Sequence, residues 1–249
     1  MKLQVPIESV ERDYVLNGLL FVLAGRPRSL VFRGGTALAR AYWPDHRLSE
    51  DLDFVSQASR GDILSALGQD VDEAAEVVAV ALTMEVDVGR SDGFIQSFVR
   101  WGDEPHEVVK IDVNLNESAY LATEDRELSL PYRVFAGEQR HIPTVTLAEI
   151  LGNKWYMLDD RREPRDLYDL WWALSPEGLD FSIVVAGHAA RYRYPPMRQF
   201  LTGARRGLEE LWSTRLEHQR AHLPEFQVAY EEVLGCYDRW KEQNEHEQA

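Results

Sequence analysis

FRGGTALARAYWPDHRLSEDLDF, residues Phe32–Phe54, sets two carboxylates one residue apart, a short distance after a glycine pair. The β-rich run Ser29–Arg33 leads into Gly34-Gly35. Thr36–Tyr42 is a good helix opening, with Thr36 able to cap it, and Pro44 stops it. Asp51–Val55 then reads as a second strand. In a strand, residues i and i+2 point the same way. Asp51 and Asp53 therefore share one face while Leu52 and Phe54 take the core face. Neighbouring carboxylates repel and raise each other's pKa. A divalent cation between them removes that cost, and a ligand set of oxygens without Cys or His favours Mg²⁺ or Mn²⁺. An isolated D-x-D is more often an exposed acidic strand end, so a second feature has to decide.

Glu107–Leu115 supplies one. Val109, Ile111, Val113 and Leu115 alternate with Lys110, Asp112 and Asn114. The apolar face is clean, which leaves Asp112 in mid-strand on the opposite face, where Val or Thr is the usual choice. If this strand lies beside Asp51–Val55, three carboxylates converge. Three carboxylates with two Mg²⁺ are the equipment of phosphoryl or nucleotidyl transfer. Gly34-Gly35, between a strand and a helix, would then let backbone N–H groups approach a phosphate.

The chain has 249 residues, enough for one large domain or two closely joined ones. Its apolar runs are short, as in LLFVLA at 19–24, so no membrane span is expected, and the first residues show no apolar signal region. The single Cys236 excludes an intrachain disulfide and a thiolate metal cluster. A cytoplasmic protein is the expectation. A net charge of −15 argues against a general nucleic-acid binder, and no DNA partner is expected. The charge is uneven. Lys154–Arg206 holds nine basic and seven acidic residues, a local +2, so the remainder carries −17. RNA, if bound, binds near this span.

The rest of the chain divides in character near His141. Before it come a helix over 8–25, a helix over about 61–81, strands over 82–88, 94–101 and 107–115, and an apolar stretch at 132–135. After it, Thr146-Leu-Ala-Glu149 fits a capping box ahead of a helix to about Leu158. An interruption follows at 159–164, then helices over 165–174, 179–190, 196–212 and 216–243. The expectation is an α+β chain, with an α/β domain over 1–140 and a helical domain over 141–249. His218 and His222 stand at i, i+4, which can bind zinc, although a helix surface is the better expectation. Trp171-Trp172 reads as core. Arg191-Tyr-Arg-Tyr194 interleaves cations and aromatics as single-strand RNA platforms do, or it is a turn before Pro195-Pro196.

Gly34-Gly-Thr-Ala-Leu-Ala-Arg40 with His46-Arg-Leu-Ser-Glu-Asp-Leu-Asp-Phe54 resembles the signature of the AbiEii/AbiGii toxin family. Lys154 followed by Arg161-Arg-Glu-Pro-Arg-Asp-Leu-Tyr-Asp169 resembles the same family's lysine and R…RDxxD motif. The resemblance covers roughly residues 30–175. It implies a polymerase-beta-type nucleotidyltransferase fold, a mixed sheet with flanking helices and a helical half that completes the nucleotide site. It further implies a toxin of a bacterial toxin–antitoxin or phage-abortive system. Such an enzyme uses Mg²⁺ or Mn²⁺ to move a nucleoside monophosphate from an NTP to the 3′ end of tRNA, and it has a cognate antitoxin as partner. By the same resemblance Asp51, Asp53 and Asp112 hold metal, and Asp112 is a candidate base. Gly34, Gly35 and Thr36 hold the triphosphate with Arg47 or Ser49. Lys154 neutralises triphosphate charge, and Asp166 and Asp169 position Lys154 or the nucleotide. Arg165 contacts phosphate or pairs with one of these aspartates. Arg191, Arg193, Arg198, Arg205 and Arg206 are candidate RNA contacts. From residue chemistry alone, Lys154 reads as a solvated helix lysine, and Asp166 and Asp169 as an ordinary helix face shared with Arg162 and Arg165. A protein or aminoglycoside-like acceptor, or a non-catalytic regulatory role, are the alternatives.

Overall fold

Alternation decides the strands. In β5 (Val108–Asn114) the side chains of Val109, Ile111 and Val113 are fully buried while Lys110, Asp112 and Asn114 face the other way. In β2 (Asp51–Ser56), Leu52 and Phe54 are likewise buried between Asp51 and Asp53. The computed structural model describes residues 5–26, 29–89, 91–104 and 106–246. The chain divides into two compact units, Met1–Val145 and Thr146–Ala249.

The first unit is built on one seven-stranded mixed sheet. The strands are β1 (Leu30–Arg33), β2, β3 (Thr83–Val86), β4 (Phe94–Arg100), β5, β6 (Glu124–Glu127) and β7 (His141–Thr144), in spatial order β3-β4-β5-β2-β1-β7-β6. β2 runs parallel to β5 and β1 parallel to β7, and the remaining pairs are antiparallel. Helices α1 (Ile7–Ala24) and α3 (Arg60–Val78) pack on each other. The chain after β1 enters α2 (Gly34–Ala37), which continues as a wider π turn over Leu38–Tyr42. A buried polar cluster fixes this segment: the Arg40 guanidinium pairs with Asp13 of α1, and the Tyr132 hydroxyl donates to the other Asp13 oxygen at 2.8 Å. Burial, then the Asp13 charge, raises the Tyr132 pKa far above its ordinary value, so Tyr132 stays a donor.

The second unit is helical: α4 (Leu147–Asp160), α5 (Pro164–Leu174), α6 (Ser182–Tyr192), α7 (Arg198–Leu216) and α8 (Phe226–His246). Thr146 caps α4, its hydroxyl oxygen accepting from the Glu149 N–H at 3.3 Å. Helix α4 crosses α6 at glycines. A Cβ on Gly187 would lie 1.7 Å from the Ala148 carbonyl oxygen, and one on Gly152 would lie 2.1 Å from the His188 nitrogen, so only glycine permits this approach. Trp155 of α4 is fully buried, stacked on Tyr237 of α8 with centroids 5.4 Å apart. Trp171 and Trp172 are half-buried, and the Trp171 ring N–H donates to Glu232 at 2.7 Å.

Three sequence expectations need correction. The last helix begins at Phe226 rather than 216, so His218 and His222 lie in the turn between α7 and α8 and share no helix face. Pro224, which cannot sit inside a helix, sets that boundary. Thr36 does not cap α2: it lies within the helix, and Arg33 holds the cap position. Strands β6 and β7 were not expected. Among the described residues no helix is long and apolar enough to cross a membrane.

Candidate active site

The parallel pairing of β2 with β5 sets the geometry. Its register places Asp53 opposite Asp112 and Asp51 opposite Lys110. The flanking strands extend the row, since β1 sets Arg33 against Asp53 and β4 sets Gln96 against Asp112. A line Gln96–Asp112–Asp53–Arg33 therefore crosses four strands. The Gln96 amide donates to Asp112 Oδ1 at 3.0 Å. Lys110 Nζ stands 3.1 Å from Asp112 Oδ2 and 3.5 Å from Asp51 Oδ2. Arg33 is paired with Glu117 at 2.9 Å.

These neighbours do not fully offset the acidic charge. Burial, then the Asp51 and Asp112 carboxylates, pushes Asp53 up to about 6, against the pull of Lys110 and Arg33. Burial would lower the Lys110 pKa, but the surrounding aspartates outweigh it and raise it. Among the described residues, no three acidic, His or Cys side chains are arranged as a ready-made cage for an ion. Lys110, Gln96 and Arg33 are the site residues that sequence reasoning missed. Lys110 stood out in the sequence only as a polar member of its strand's alternation, and only the register with β2 brings it to Asp51.

The glycine turn meets the same carboxylates. Gly34 has φ +81°, and a Cβ there would lie 2.3 Å from Asp53 Oδ2. A Cβ on Gly35 would lie 2.9 Å from Arg47 Nη2 and 3.4 Å from Ser49 Oγ. Arg47 and Ser49 are themselves buried. The Thr36 hydroxyl donates to the Asp51 carbonyl, tying the turn to the carboxylate strand. A glycine turn, a guanidinium and a carboxylate pair thus adjoin. Gly34→Ala should strain the backbone by about 1–3 kcal/mol and displace Asp53, cutting activity by up to about 10²-fold. Melting and turnover measurements check this, and unchanged values in both would show that the close approach carries nothing.

The second unit holds the other motif. Lys154 of α4 is only 4% exposed, and Asp166 and Asp169 of α5 are fully buried. Lys154 Nζ lies 3.1 Å from Asp166 Oδ1 and 2.5 Å from Asp169 Oδ2. Asp166 also receives Arg161 in a two-pronged pair, both bonds 2.8 Å. Burial alone would raise the Asp166 pKa, but Lys154 and Arg161 outweigh it and hold the carboxyl below its ordinary value. The solvated-lysine and ordinary-helix-face expectations are therefore overturned. The guanidinium on Asp166 is Arg161, while Arg165 lies 4.0 Å from Glu163.

The basic span is mostly engaged within its own unit. Arg191 and the Tyr192 hydroxyl both donate to Asn153, at 2.9 and 2.7 Å, and Tyr192 stacks on Tyr156 at 4.0 Å. Arg198 pairs with Asp238, Arg205 bonds Gln227 and Arg206 pairs with Glu210. Arg193 is exposed at φ +65° and makes no ion pair among the described residues, and Tyr194 beside it is 37% exposed. The tetrapeptide thus splits into an anchored half and a presented half.

The family model described as nucleotidyl transferase AbiEii toxin, type IV TA system, matches residues 16–234. The chain belongs to this family. The solved structure of the MenT4 nucleotidyltransferase toxin from Mycobacterium tuberculosis H37Rv is similar at a TM-score of 0.62 and 21% identity, covering 92% of this chain and 82% of that one. An H. pylori protein described as a candidate nucleotidyltransferase is similar at a TM-score of 0.62 and 14% identity, covering 97% and 98%. No curated protein sequence matches the chain. At these identities the two structures establish the fold, a nucleotidyltransferase mixed sheet with flanking helices. Membership in the AbiEii family makes the chain a nucleotidyltransferase toxin of a type IV toxin–antitoxin system, which implies an antitoxin partner. Nucleotidyltransferases generally use an NTP and divalent metal. The donor chemistry here fits a hard divalent ion, with carboxylate oxygens on adjacent strands and an Asp53 whose charge is under-compensated.

Proposed function

We propose that this AbiEii toxin transfers a nucleoside monophosphate from an NTP to the 3′ end of tRNA, blocking aminoacylation, and that Asp51, Asp53 and Asp112 hold the Mg²⁺ or Mn²⁺ that the reaction needs. The observation that carries the proposal is the juxtaposition of Asp53 with Asp112 on one side and with the Gly34-Gly35 turn on the other. These carboxylates would hold the ion, whose positive charge would offset that of the leaving pyrophosphate.

The residues divide the remaining work. The glycine turn and Arg47 cradle the phosphates, with Ser49 beside them. Asp112, oriented by Gln96, accepts the proton of the attacking hydroxyl. The new bond joins the acceptor oxygen to the α-phosphorus as the bond from that phosphorus to the bridging oxygen breaks. Lys154, set by Asp166 and Asp169, contributes positive charge toward the triphosphate, and Arg165 is a further phosphate contact. An RNA acceptor is favoured by Arg193 and Tyr194, a cation and an aromatic ring presented together. Arg191, Arg198, Arg205 and Arg206 give up their present partners if they take part. The toxin acts in the cytoplasm, in a phage-abortive setting, and its antitoxin restrains it.

The test uses purified protein, Mg²⁺, each of the four α-³²P-labelled NTPs and total bacterial tRNA, resolved on a denaturing gel. Labelled tRNA is expected, with Arg193→Glu weakening the labelling. Label that stays off RNA and appears on protein in a lysate would overturn the tRNA acceptor.

A further inference from the structure

We propose that Lys110 is a built-in counter-cation of the carboxylate site, occupying the charge position of a divalent ion and giving it up when the nucleotide arrives with its own. The inference rests on the proposed placement of a divalent ion at these carboxylates. Three observations carry it. Lys110 sits on the same strand face as Asp112 and directly opposite Asp51 in the β2–β5 register, so the fold itself delivers it. Its Nζ lies within 3.1 Å of Asp112 and 3.5 Å of Asp51, bridging oxygens from two strands as a cation would. Among the described residues no three acidic side chains form a ready-made ion cage, and the Lys110 ammonium bridges two of the three carboxylates.

Charge explains the consequence. Three carboxylates less one ammonium leave −2, which one divalent ion balances. With Lys110 swung away the carboxylates carry −3 and attract a divalent ion more strongly. Lys110 is 31% exposed, so its long side chain has solvent to swing into. The free divalent ion therefore competes with a tethered cation at high effective concentration. Mg²⁺ that arrives with a triphosphate does not meet the same handicap, because the nucleotide brings further contacts. The site stays weakly loaded until substrate is present.

The experiment titrates the full chain with Mn²⁺ alone, following the free ion by electron paramagnetic resonance. Wild type is compared with Lys110→Met, Lys110→Gln, Lys110→Arg and Asp53→Asn, each checked for folding by its melting curve. Removing the tethered charge should tighten Mn²⁺ binding by about tenfold or more in Lys110→Met and Lys110→Gln. Lys110→Arg should stay near wild type, and Asp53→Asn should lose binding. Mn²⁺ affinity that is abolished by Asp53→Asn yet unchanged or weaker in both neutral Lys110 variants would overturn the inference and leave the metal site standing. No Mn²⁺ binding in wild type or in any Lys110 variant would overturn both together.

Discussion

Asp53→Asn should abolish nucleotide transfer and growth inhibition while raising the melting temperature of the protein measured without divalent ions. The two effects have one cause. Asp53 lies against Asp112 across the strand pair and against Gly34 at the turn, and it shares a strand face with Asp51, so its charge is costly to the fold and useful to a cation. Its pKa is raised from 3.8 to about 6. Between those values the folded chain keeps a proton that the unfolded chain has released, so stability falls as pH rises through this window. Above about pH 6 the penalty is fully present, of order 1–3 kcal/mol after screening by solvent. Asparagine removes it. The variant should melt a few degrees higher at pH 7, and its advantage should vanish as pH falls toward 4. Transfer should drop by at least about 10²-fold, since loss of a ligand costs no less than loss of the groups that orient one. Melting curves at the two pH values, paired with a transfer assay, check both halves. A lower melting temperature at pH 7 would show that the aspartate charge is already compensated.

Lys154→Ala should have the largest effect on stability. It leaves Asp166 and Asp169 fully buried and removes the ammonium that bridges them, with Arg161 still on Asp166. Breaking a buried pair from one side costs about 3–5 kcal/mol, which corresponds to a fall on the order of 10 °C in melting temperature. Asp169→Asn should cost less, because Lys154 keeps Asp166. NTP affinity of Lys154→Ala, measured well below its melting point, should also weaken if the lysine serves the triphosphate. Thermal melts and nucleotide titrations separate the two roles. An unchanged melting temperature would contradict the buried network, and a lowered one with unchanged NTP affinity would make Lys154 a structural pin.

The strands that hold the site were legible because Asp51-Leu-Asp-Phe54 and Val109–Leu115 alternate polar with apolar residues. Their adjacency was conditional on a pairing that no local pattern encodes, and Lys110 went unnoticed for the same reason. Strand β6 reads Glu-Asp-Arg-Glu, with no apolar alternation, because it is an exposed edge strand held by backbone pairing. Strand β7 contains Pro143, which argues against a strand in the sheet interior. The buried charges of the second unit were visible as a motif but not as a network. A lysine and two aspartates on helices look solvated until the partner helix is known, and here α5 brings Asp166 and Asp169 onto Lys154 of α4. Helix ends failed where the turn over 217–225 is built from residues that a helix also accepts, with Pro224 the one dissenting signal.

The central claim is nucleotidyl transfer at the Asp51–Asp53–Asp112 site, and the position of the label tests it most directly. Wild-type protein is incubated with Mg²⁺, tRNA and the same NTP labelled in parallel at the α- and γ-phosphate. Label from the α-position should appear on tRNA, label from the γ-position should leave as pyrophosphate, and both should disappear in Asp53→Asn. Label from the γ-position on the acceptor, or transfer that survives Asp53→Asn in the folded protein, would contradict the claim.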